Sequence, residues 1–486
     1  ELSLHVKFAD EAICIGEGPP LKSYLNIPRI IAAGEISNVD AIHPGYGFLA
    51  ESGKFSAICK ENGFSFIGPD SDIIESMGDK INARNIAKET NIPIIRGSDN
   101  AIGSVNELIE ISNQIGYPVL LKAAAGGGGK GMRIVESASD LEQSFSIVKS
   151  EADKAFSNSE IYVEKFIKNA RHIEIQIVGD KFGNYIHLGE RECSIQRSNQ
   201  KLIEESPSSF LDDSLRKTLG EKAINLAKAV KYVGLGTIEF LVDDNKNYYF
   251  IEMNTRIQVE HTVTEMVTML DLVKEQIRLY YGGELRIKQD MVSMKGHAIE
   301  CRVYAEDPVR DFLPSIGRLS RYRPPAEFKG KNCTIRNDSG VFEGSEISLY
   351  YDPMLAKVCS WAPTRSEAID HIKGALGKFE LEGVENNIEF LSAVMGHKKF
   401  SEGQITTAFI EEEFPEGFKG VELTEDSVRQ IAACCVSMHR LAEIRRTKIS
   451  GRLNNHERTV GNKWVVGIRE ASFNVLVDAD QNGSTV

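Results

Sequence analysis

Gly236-Thr237-Ile238-Glu239-Phe240-Leu241-Val242 and Tyr248-Tyr249-Phe250-Ile251-Glu252-Met253-Asn254 are two β-like runs separated by the Asp- and Asn-rich residues 243–247. Such runs, bounded by turn residues, predict a β-hairpin. A strand's period of two puts Glu252 and Asn254 on one face. If Glu239 points to the same face of the paired strand, two carboxylates and an amide oxygen converge. That set suits Mg2+ or Mn2+ holding nucleotide phosphates. The alternation continues through Thr255-Arg256-Ile257-Gln258-Val259-Glu260, which extends the predicted strand. One side then reads Glu252, Asn254, Arg256, Gln258, Glu260, and the other Ile251, Met253, Thr255, Ile257, Val259. A solvated edge strand is the plain alternative. The polar side is instead rich in metal-ligand and anion-binding types, which favours a functional reading.

Upstream, the strand-like Tyr117-Pro118-Val119-Leu120-Leu121-Lys122 leads through Ala123-Ala124-Ala125 into glycines 126–129, Lys130 and Gly131. Met132-Arg133-Ile134-Val135 follows as a second strand-like run. The dinucleotide fingerprint fails, because a strand rather than a helix follows the glycines, and Met132 stands where a P-loop needs lysine. A strand–glycine loop–strand hairpin remains, able to close backbone N–H groups over phosphates with Lys122 and Lys130 nearby. A loose surface hairpin is the alternative, but four consecutive glycines are costly to order without a ligand.

Other polar sets are weaker in isolation. Glu190-Arg191-Glu192-Cys193-Ser194-Ile195-Gln196-Arg197, with Asn199 and Lys201 following at strand spacing, reads first as surface salt bridges, as does Arg302 in His297-Ala298-Ile299-Glu300-Cys301-Arg302. His172 reads first as a hydrogen-bonded structural histidine.

The N-terminal stretch alternates strand-like and helical patterns. Ala12-Ile13-Cys14-Ile15 is its first strand-like run; Asp40-Ala41-Ile42 enters the loop His43-Pro44-Gly45-Tyr46-Gly47, and Phe64-Ser65-Phe66-Ile67 repeats the unit. This predicts a parallel α/β sheet with ligands at the strand C-terminal ends. Gly45, Tyr46 and Gly47 are then candidates for lining a site, against a plain turn. Near the other end, residues 414–417 read as a linker. A helix follows with one buried stripe of Val428, Ile431, Cys435, Met438 and Ala442. Lys463-Trp464-Val465-Val466-Gly467-Ile468 is β-like. Residues 481–486 carry a hairpin-turn signal with no returning strand expected, so the chain reads as clipped at both ends.

Composition narrows the classes. The chain has 486 residues, enough for about three domains. A net charge of −13 disfavours nucleic acid as a partner, and no window is apolar enough to span a bilayer. Eight cysteines without a C-x-x-C pair argue against a disulfide framework or zinc site and favour a reducing compartment.

The glycine loop, the Glu239/Glu252/Asn254 set and the run 252–261 together resemble the biotin carboxylases over about residues 1–414. Met77-Gly78-Asp79-Lys80, Glu164-Lys165-Phe166-Ile167 and Arg171-His172-Ile173-Glu174-Ile175-Gln176 fit the same pattern. Residues 302–308 and 313–319 are most similar to the propionyl-CoA carboxylase α-subunits. The resemblance implies a mixed α/β and α+β architecture. It divides into an N-terminal α/β domain (1–78), an ATP-grasp domain (79–294, with a glycine-rich lid at 95–167) and a biotin carboxylase C-terminal domain (295–414). Residues 415–486 begin a helix-plus-β-barrel domain that in this family contacts the β-subunit. An opening βα segment of ~30–40 residues is expected to be lacking.

The resemblance also implies roles. Lys80, Lys122, Glu164, Lys165, Phe166, Ile167, His172, Gln196 and Asn199 would line an ATP site, with Gly128 and Gly129 closing over the phosphates. Glu239, Glu252 and Asn254 would hold Mg2+ or Mn2+. Lys201, Arg256, Gln258 and Val259 would bind bicarbonate, Glu260 would be the general base, Arg302 would stabilise the biotin enolate, and Tyr46 would lie near biotin. ATP, the metal, biotin and bicarbonate are thus expected. So are a carboxyltransferase β-subunit and a biotin carrier domain on a further part of the same polypeptide, in an assembly of α and β subunits. The location implied is the mitochondrial matrix in a eukaryote or the cytoplasm in a bacterium. Alternatives are an acetyl-CoA or methylcrotonyl-CoA carboxylase, another ATP-grasp ligase, or a non-catalytic nucleotide-binding scaffold. The sequence departs from the family pattern at Ala124 (usually serine), Ser198 (usually arginine) and Thr262 (usually proline).

Overall fold

The hairpin predicted around residues 243–247 is present: Gly234–Val242 pairs antiparallel with Tyr248–Asn254. It forms one end of a nine-stranded sheet in the larger of two units, Glu1–Lys419; the smaller is Gly420–Val486. The computed structural model describes residues 3–98, 100–123, 132–156, 160–420, 423–448, 459–468, 471–480 and 483–485.

At the N-terminal side, β1 (Ala41–Ile42) and β2 (Ser65–Phe66) pair in parallel. Helices α1 (Ile27–Ile36), α2 (Gly53–Glu61) and α3 (Ser71–Gly78) bury Ile31, Phe55, Cys59 and Ile74 against Phe66. Residues 12–15 are not a strand, contrary to expectation, and Ile13 is exposed. No described strand lies beside them, and an extended run without a ladder gains nothing over hydration of its backbone. Helix α4 (Lys80–Glu89) starts at Lys80 because the Asp79 side chain caps it, accepting from Asn82 N–H at 2.7 Å.

Next, β3 (Val119–Ala123), β4 (Met132–Val135) and β5 (Ile161–Lys165) form a small antiparallel sheet in the order β4-β3-β5. Lys122 pairs with Met132, so the expected hairpin arms are there. Residues 124–131, with Ala124, Gly128, Gly129 and Lys130, lie outside the described residues. Helices Val105–Ile115 and Leu141–Phe156 cover this sheet through Leu108, Leu141 and Val148.

The large sheet contains β6 (Arg171–Gly179), β7 (Tyr185–Arg197), β8 (Gln200–Ser206), the hairpin strands β9 and β10, β11 (His297–Tyr304), β12 (Phe328–Lys329), β13 (Thr334–Ser339) and β14 (Met354–Ala362). Its order is β10-β9-β6-β7-β8-β11-β14-β13-β12, antiparallel throughout. Ile173, Ile175 and Ile177 of β6 and Ile238, Phe240 and Val242 of β9 pack on Leu215, Leu219 and Leu226 of α5 (Asp213–Ala229). Each such side chain contributes about 1.5–3 kcal/mol on burial. Period two sends the intervening His172, Glu174, Gln176, Thr237 and Glu239 to the opposite face. These are buried as well.

Two local expectations fail here. The strand carrying Glu252 stops at Asn254; residues 255–260 are a bent connection into α6 (His261–Thr268), with Glu260 at its N-cap. Both sides of the predicted alternation are largely buried, Thr255 and Ile257 as well as Gln258 and Glu260. Helix α6 draws the chain away from the sheet plane because Val263, Met266 and Val267 pack on Ala298 and Cys359. Likewise Asn199 and Lys201 do not continue β7. Ser198 (φ 48°) and Asn199 (φ 67°) form a two-residue turn between paired Arg197 and Gln200, and Lys201 belongs to β8. Positive φ at both turn positions matches the twist of a tight hairpin. Beyond the site, α7 (Arg365–Leu376) completes the C-terminal core with Phe390, Leu391 and Phe400.

In the smaller unit, α8 (Glu425–Thr447) meets the hairpin of β15 (Lys463–Ile468) and β16 (Ala471–Leu476). Its buried residues are Ala432, Val436 and Glu443. The expected stripe is off by a face: Cys435 and Ala442 are exposed, Ile431 is 39% exposed and Met438 73%. Apolar residues lie on more than one side of this helix, and the hairpin selects which side is covered. The terminal turn does have a returning strand, since β17 (Asp478–Asp480) pairs with β18 (Gly483–Thr485).

Candidate active site

Glu239 of β9 and Glu252 of β10 are direct cross-strand partners, next to a register shift between Phe250 and Glu252. Opposed carboxylates repel. Burial pushes the Glu252 pKa up and Glu239 adds to the shift; Lys201, Lys80 and His172 offset part of it. Burial acts on Glu239 in the same direction, but Lys201 and His172 outweigh it and hold that carboxyl far below the usual range. Glu239 accepts from Lys201 Nζ (2.9 Å), Asn254 Nδ2 (2.9 Å) and Gln258 Nε2 (3.1 Å), and its other oxygen lies 2.9 Å from His172 Nε2. Asn254 thus reaches Glu239 diagonally. Two opposed glutamates fit a hard divalent cation, which would relieve the repulsion felt by Glu252, but the Asn254 oxygen expected beside them is turned to Arg256 and its Nδ2 faces Glu239.

A second cluster lies alongside. Lys201 Nζ donates to Glu174 (2.6 Å), Glu239 (2.9 Å) and Glu260 (2.7 Å). Arg302 donates to Glu204 (2.5 Å) and Glu260 (2.9 Å). Burial alone would raise the Glu260 pKa. The charges of Lys201, Arg302 and Arg191 overcome it and hold Glu260 well below the ordinary glutamate value. Arg256 donates to Gln258 Oε1 (3.1 Å) and Asn254 Oδ1 (3.1 Å), and Glu51 orients it at 3.0 Å. Lys357 Nζ donates to the Val259 carbonyl at 2.7 Å, and Tyr46 lies close enough to act on the Lys357 charge.

On the third side, the Glu164 carboxylate joins Lys122 (2.5 Å) and Arg84. Burial opposes its ionisation, but these cations keep its pKa below the usual range. Gln196 Nε2 meets His172 Nδ1 at 2.9 Å. Lys165 Nζ donates to the carbonyls of Gly116 (3.0 Å) and Tyr117 (2.7 Å). Phe166 N–H bonds Pro118 O, Ile167 follows it half-buried, and Asn199 sits in the β7–β8 turn. The structure therefore brings Lys201, Glu239, Asn254, Arg256, Gln258, Glu260 and Arg302 together directly. Gly128 and Gly129 lie outside the described residues.

The reading of residues 190–197 and Arg302 as surface salt bridges is overturned. Arg191, Glu190 and Glu192 are fully buried and Arg302 is 8% exposed. Arg191 donates to Glu174 (2.5 Å), Gln176 (2.8 Å), Thr264 (2.9 Å) and Thr237 (3.1 Å), a girder beneath the site. Glu51, Arg84, Glu204 and Lys357 carry no signal in the sequence; Arg191 stands in the run read as surface salt bridges, and Glu174 shares a face with His172 and Gln176 in residues 171–176.

Comparison with known proteins places this geometry in a family. Residues 1–74 match the biotin carboxylase N-terminal domain and 79–288 the ATP-binding domain of the carbamoyl-phosphate synthase L chain. Residues 300–412 match the biotin carboxylase C-terminal domain and 431–486 the propionyl-coenzyme A carboxylase BT domain. The propionyl-CoA carboxylase alpha chain of Ruegeria pomeroyi is 53% identical, over all of this chain and 73% of its own length. The mitochondrial propionyl-CoA carboxylase alpha chain of Sus scrofa is 46% identical over 99% of this chain, which spans 66% of it. Among solved structures, the biotin carboxylase domain of Hydrogenobacter thermophilus 2-oxoglutarate carboxylase, in complex with MgADP, ADP and bicarbonate, is 46% identical. It superposes with a TM-score of 0.82 over 87% of this chain and 91% of that one. With sequence and fold agreeing over so much of its length, this chain belongs to the biotin carboxylase family, among the propionyl-CoA carboxylase alpha chains.

Proposed function

We propose that this chain carboxylates biotin at the expense of ATP and bicarbonate, the first half-reaction of propionyl-CoA carboxylase. The observation that carries the reading is Glu260, a buried carboxylate held between Lys201 and Arg302 at 2.7 and 2.9 Å, with Gln258 and Arg256 adjoining. The cations supply the charge that a small anion needs, and Glu260 supplies a base beside it. Bicarbonate is a poor electrophile until phosphorylated. Lys201 and the Arg256 fork hold it, with Gln258 and the backbone of Val259 fixing its plane. Glu260 takes the hydroxyl proton as a bicarbonate oxygen attacks the γ-phosphorus and ADP leaves. The carboxyphosphate formed breaks to CO2 and phosphate; the phosphate takes the proton of the biotin ureido nitrogen, and that nitrogen then forms its bond to the CO2 carbon. Arg302 stabilises the developing enolate oxygen of biotin, with Tyr46 beside the ring.

Glu260 is too strongly stabilised to be an effective base while Lys201 and Arg302 both hold it. Bicarbonate binding between these groups draws the cations onto the substrate and frees Glu260 to accept the proton. Glu239, Glu252 and Asn254 would hold a divalent ion, which would supply positive charge against the phosphoryl oxygens. Lys80, Lys122, Glu164, His172, Gln196 and Asn199 line the nucleotide site. Lys165, Phe166 and Ile167 shape its edge through the backbone.

Biotin reaches the site on a carrier domain, and a carboxyltransferase β-subunit completes the propionyl-CoA reaction. Residues 431–486 match a BT domain, which supports this assembly. A eukaryotic source would place it in the mitochondrial matrix and a bacterial one in the cytoplasm. The decisive assay is bicarbonate-dependent ATP hydrolysis stimulated by free biotin. Hydrolysis indifferent to both compounds would refute the reading.

A further inference from the structure

Behind Arg302 lie two glutamates with no part in the chemistry above. Glu204 of β8 and Glu300 of β11 are direct cross-strand partners, and both are fully buried. Their inner oxygens are occupied: Glu204 Oε1 by Arg302, and Glu300 Oε2 by the Thr262 hydroxyl and the Cys359 thiol (3.4 Å). Among the described residues no donor reaches Glu204 Oε2 or Glu300 Oε1. Buried carboxylate oxygens are rarely left without a donor, because the desolvation goes uncompensated. Two ionised glutamates side by side would add direct repulsion. One proton removes both problems, since a protonated carboxyl donates to its neighbour and only one charge remains.

We propose that Glu204 and Glu300 hold a single proton between them, and that this pair sets the negative charge standing behind Arg302. Other charged and titratable groups face the pair from each packed element. Arg302 and Cys301 lie on β11, Glu260 at the start of α6, Lys357 and Cys359 on β14, and Cys193 on β7. Burial holds all three thiols protonated. Burial also pushes the Glu204 pKa up to about 8, with Arg302 opposing and Glu300 and Glu260 adding to the rise. Glu204 therefore keeps its proton at neutral pH. In alkali it loses its proton to solvent, and a second negative charge then grips Arg302 and repels both bicarbonate and the developing enolate. Glu204 is accordingly a positioning residue for Arg302. That consequence rests on the biotin-carboxylating role proposed above, whereas the shared proton does not.

Infrared spectroscopy of the whole chain, with carboxyl-labelled glutamate for assignment, tests the proton directly. A protonated glutamic acid band is expected at neutral pH, lost on alkaline titration and lost in Glu300→Gln. Glu204→Gln serves if that variant does not fold, because either amide replaces the protonated partner. The second readout is the pH profile of biotin-stimulated, bicarbonate-dependent ATP hydrolysis. Wild type should decline on the alkaline side. Glu300→Gln should lack that limb while its KM for ATP stays within about twofold, and Glu204→Gln should lack it as well. An unchanged carboxyl band and an unchanged alkaline limb in Glu300→Gln would overturn the proposal. A wild type with no biotin stimulation would count against the functional reading instead, and the infrared result would still decide the pair.

Discussion

Glu260 is fully buried yet ionised, because Lys201 and Arg302 lie within 2.7 and 2.9 Å. Glu260→Gln should lower biotin-dependent turnover at least about a hundredfold while ATP affinity holds, as expected for a base that does not touch nucleotide. Equal loss of both in steady-state kinetics would contradict the role. The same ion pairs predict a pH effect on stability. The folded pKa of Glu260 lies below its unfolded value near 4.5. Its contribution is therefore present above that pH and lost as pH falls through the folded value. The gap in Tm between wild type and Glu260→Gln should close in acid; a gap that widens would reverse the sign. Glu252→Lys places a cation where Glu239 and Glu252 face each other, so metal-dependent nucleotide binding should vanish in calorimetric titration. Glu239, Glu252 and the polar run to Glu260 were legible from alternation, whereas Lys201 and Arg302 entered the site only through the family resemblance. Their environment was not legible: a run such as 190–197 reads the same whether its polar face meets water or, as here, a second layer of protein.

At the scale of elements, local chemistry sets where chain ends meet the site. Asp79 caps α4 and so fixes Lys80 as its first residue. Asp79→Ala should cost about 1 kcal/mol in urea unfolding and raise the KM for ATP, with little change in the bicarbonate KM. The Ser198–Asn199 turn holds both residues at positive φ. Ser198→Gly should be tolerated, whereas Ser198→Val should destabilise by about 1–2 kcal/mol and misplace Lys201. A Tm equal to wild type in the valine variant would show that the turn relaxes freely. The hairpin of β9 and β10 was readable because strand period and turn residues are local. The end of β10 was not, because α6 is pulled out of the strand direction by packing against Ala298 and Cys359, which lie far along the chain. Helix α8 fails for the same reason: its sequence offers more than one apolar side, and a hairpin decides which is covered.

Across the whole molecule, the nine-stranded sheet joins residues far apart in sequence into one charged interior. Glu204 meets Arg302 across β8 and β11, Lys201 meets Glu260 after a separation of 59 residues, and Lys357 reaches the Val259 carbonyl after 98. Phe240→Ala, in the apolar layer under β9, should therefore cost about 3–5 kcal/mol and also weaken metal-dependent nucleotide binding, because the opposite face of that strand carries Glu239. Loss of stability with intact metal dependence would separate the two faces. By itself, the sequence determined the strand–turn–strand units and the ligand types on one face of each strand, since these depend on residues a few positions apart. Only the tertiary structure decided that the polar faces are interior, that Arg191 and Glu174 brace them, and that Glu204 and Glu300 stand paired behind Arg302. Burial and charge pairing arise from the stacking of distant elements, and a period of two cannot say what lies opposite a face.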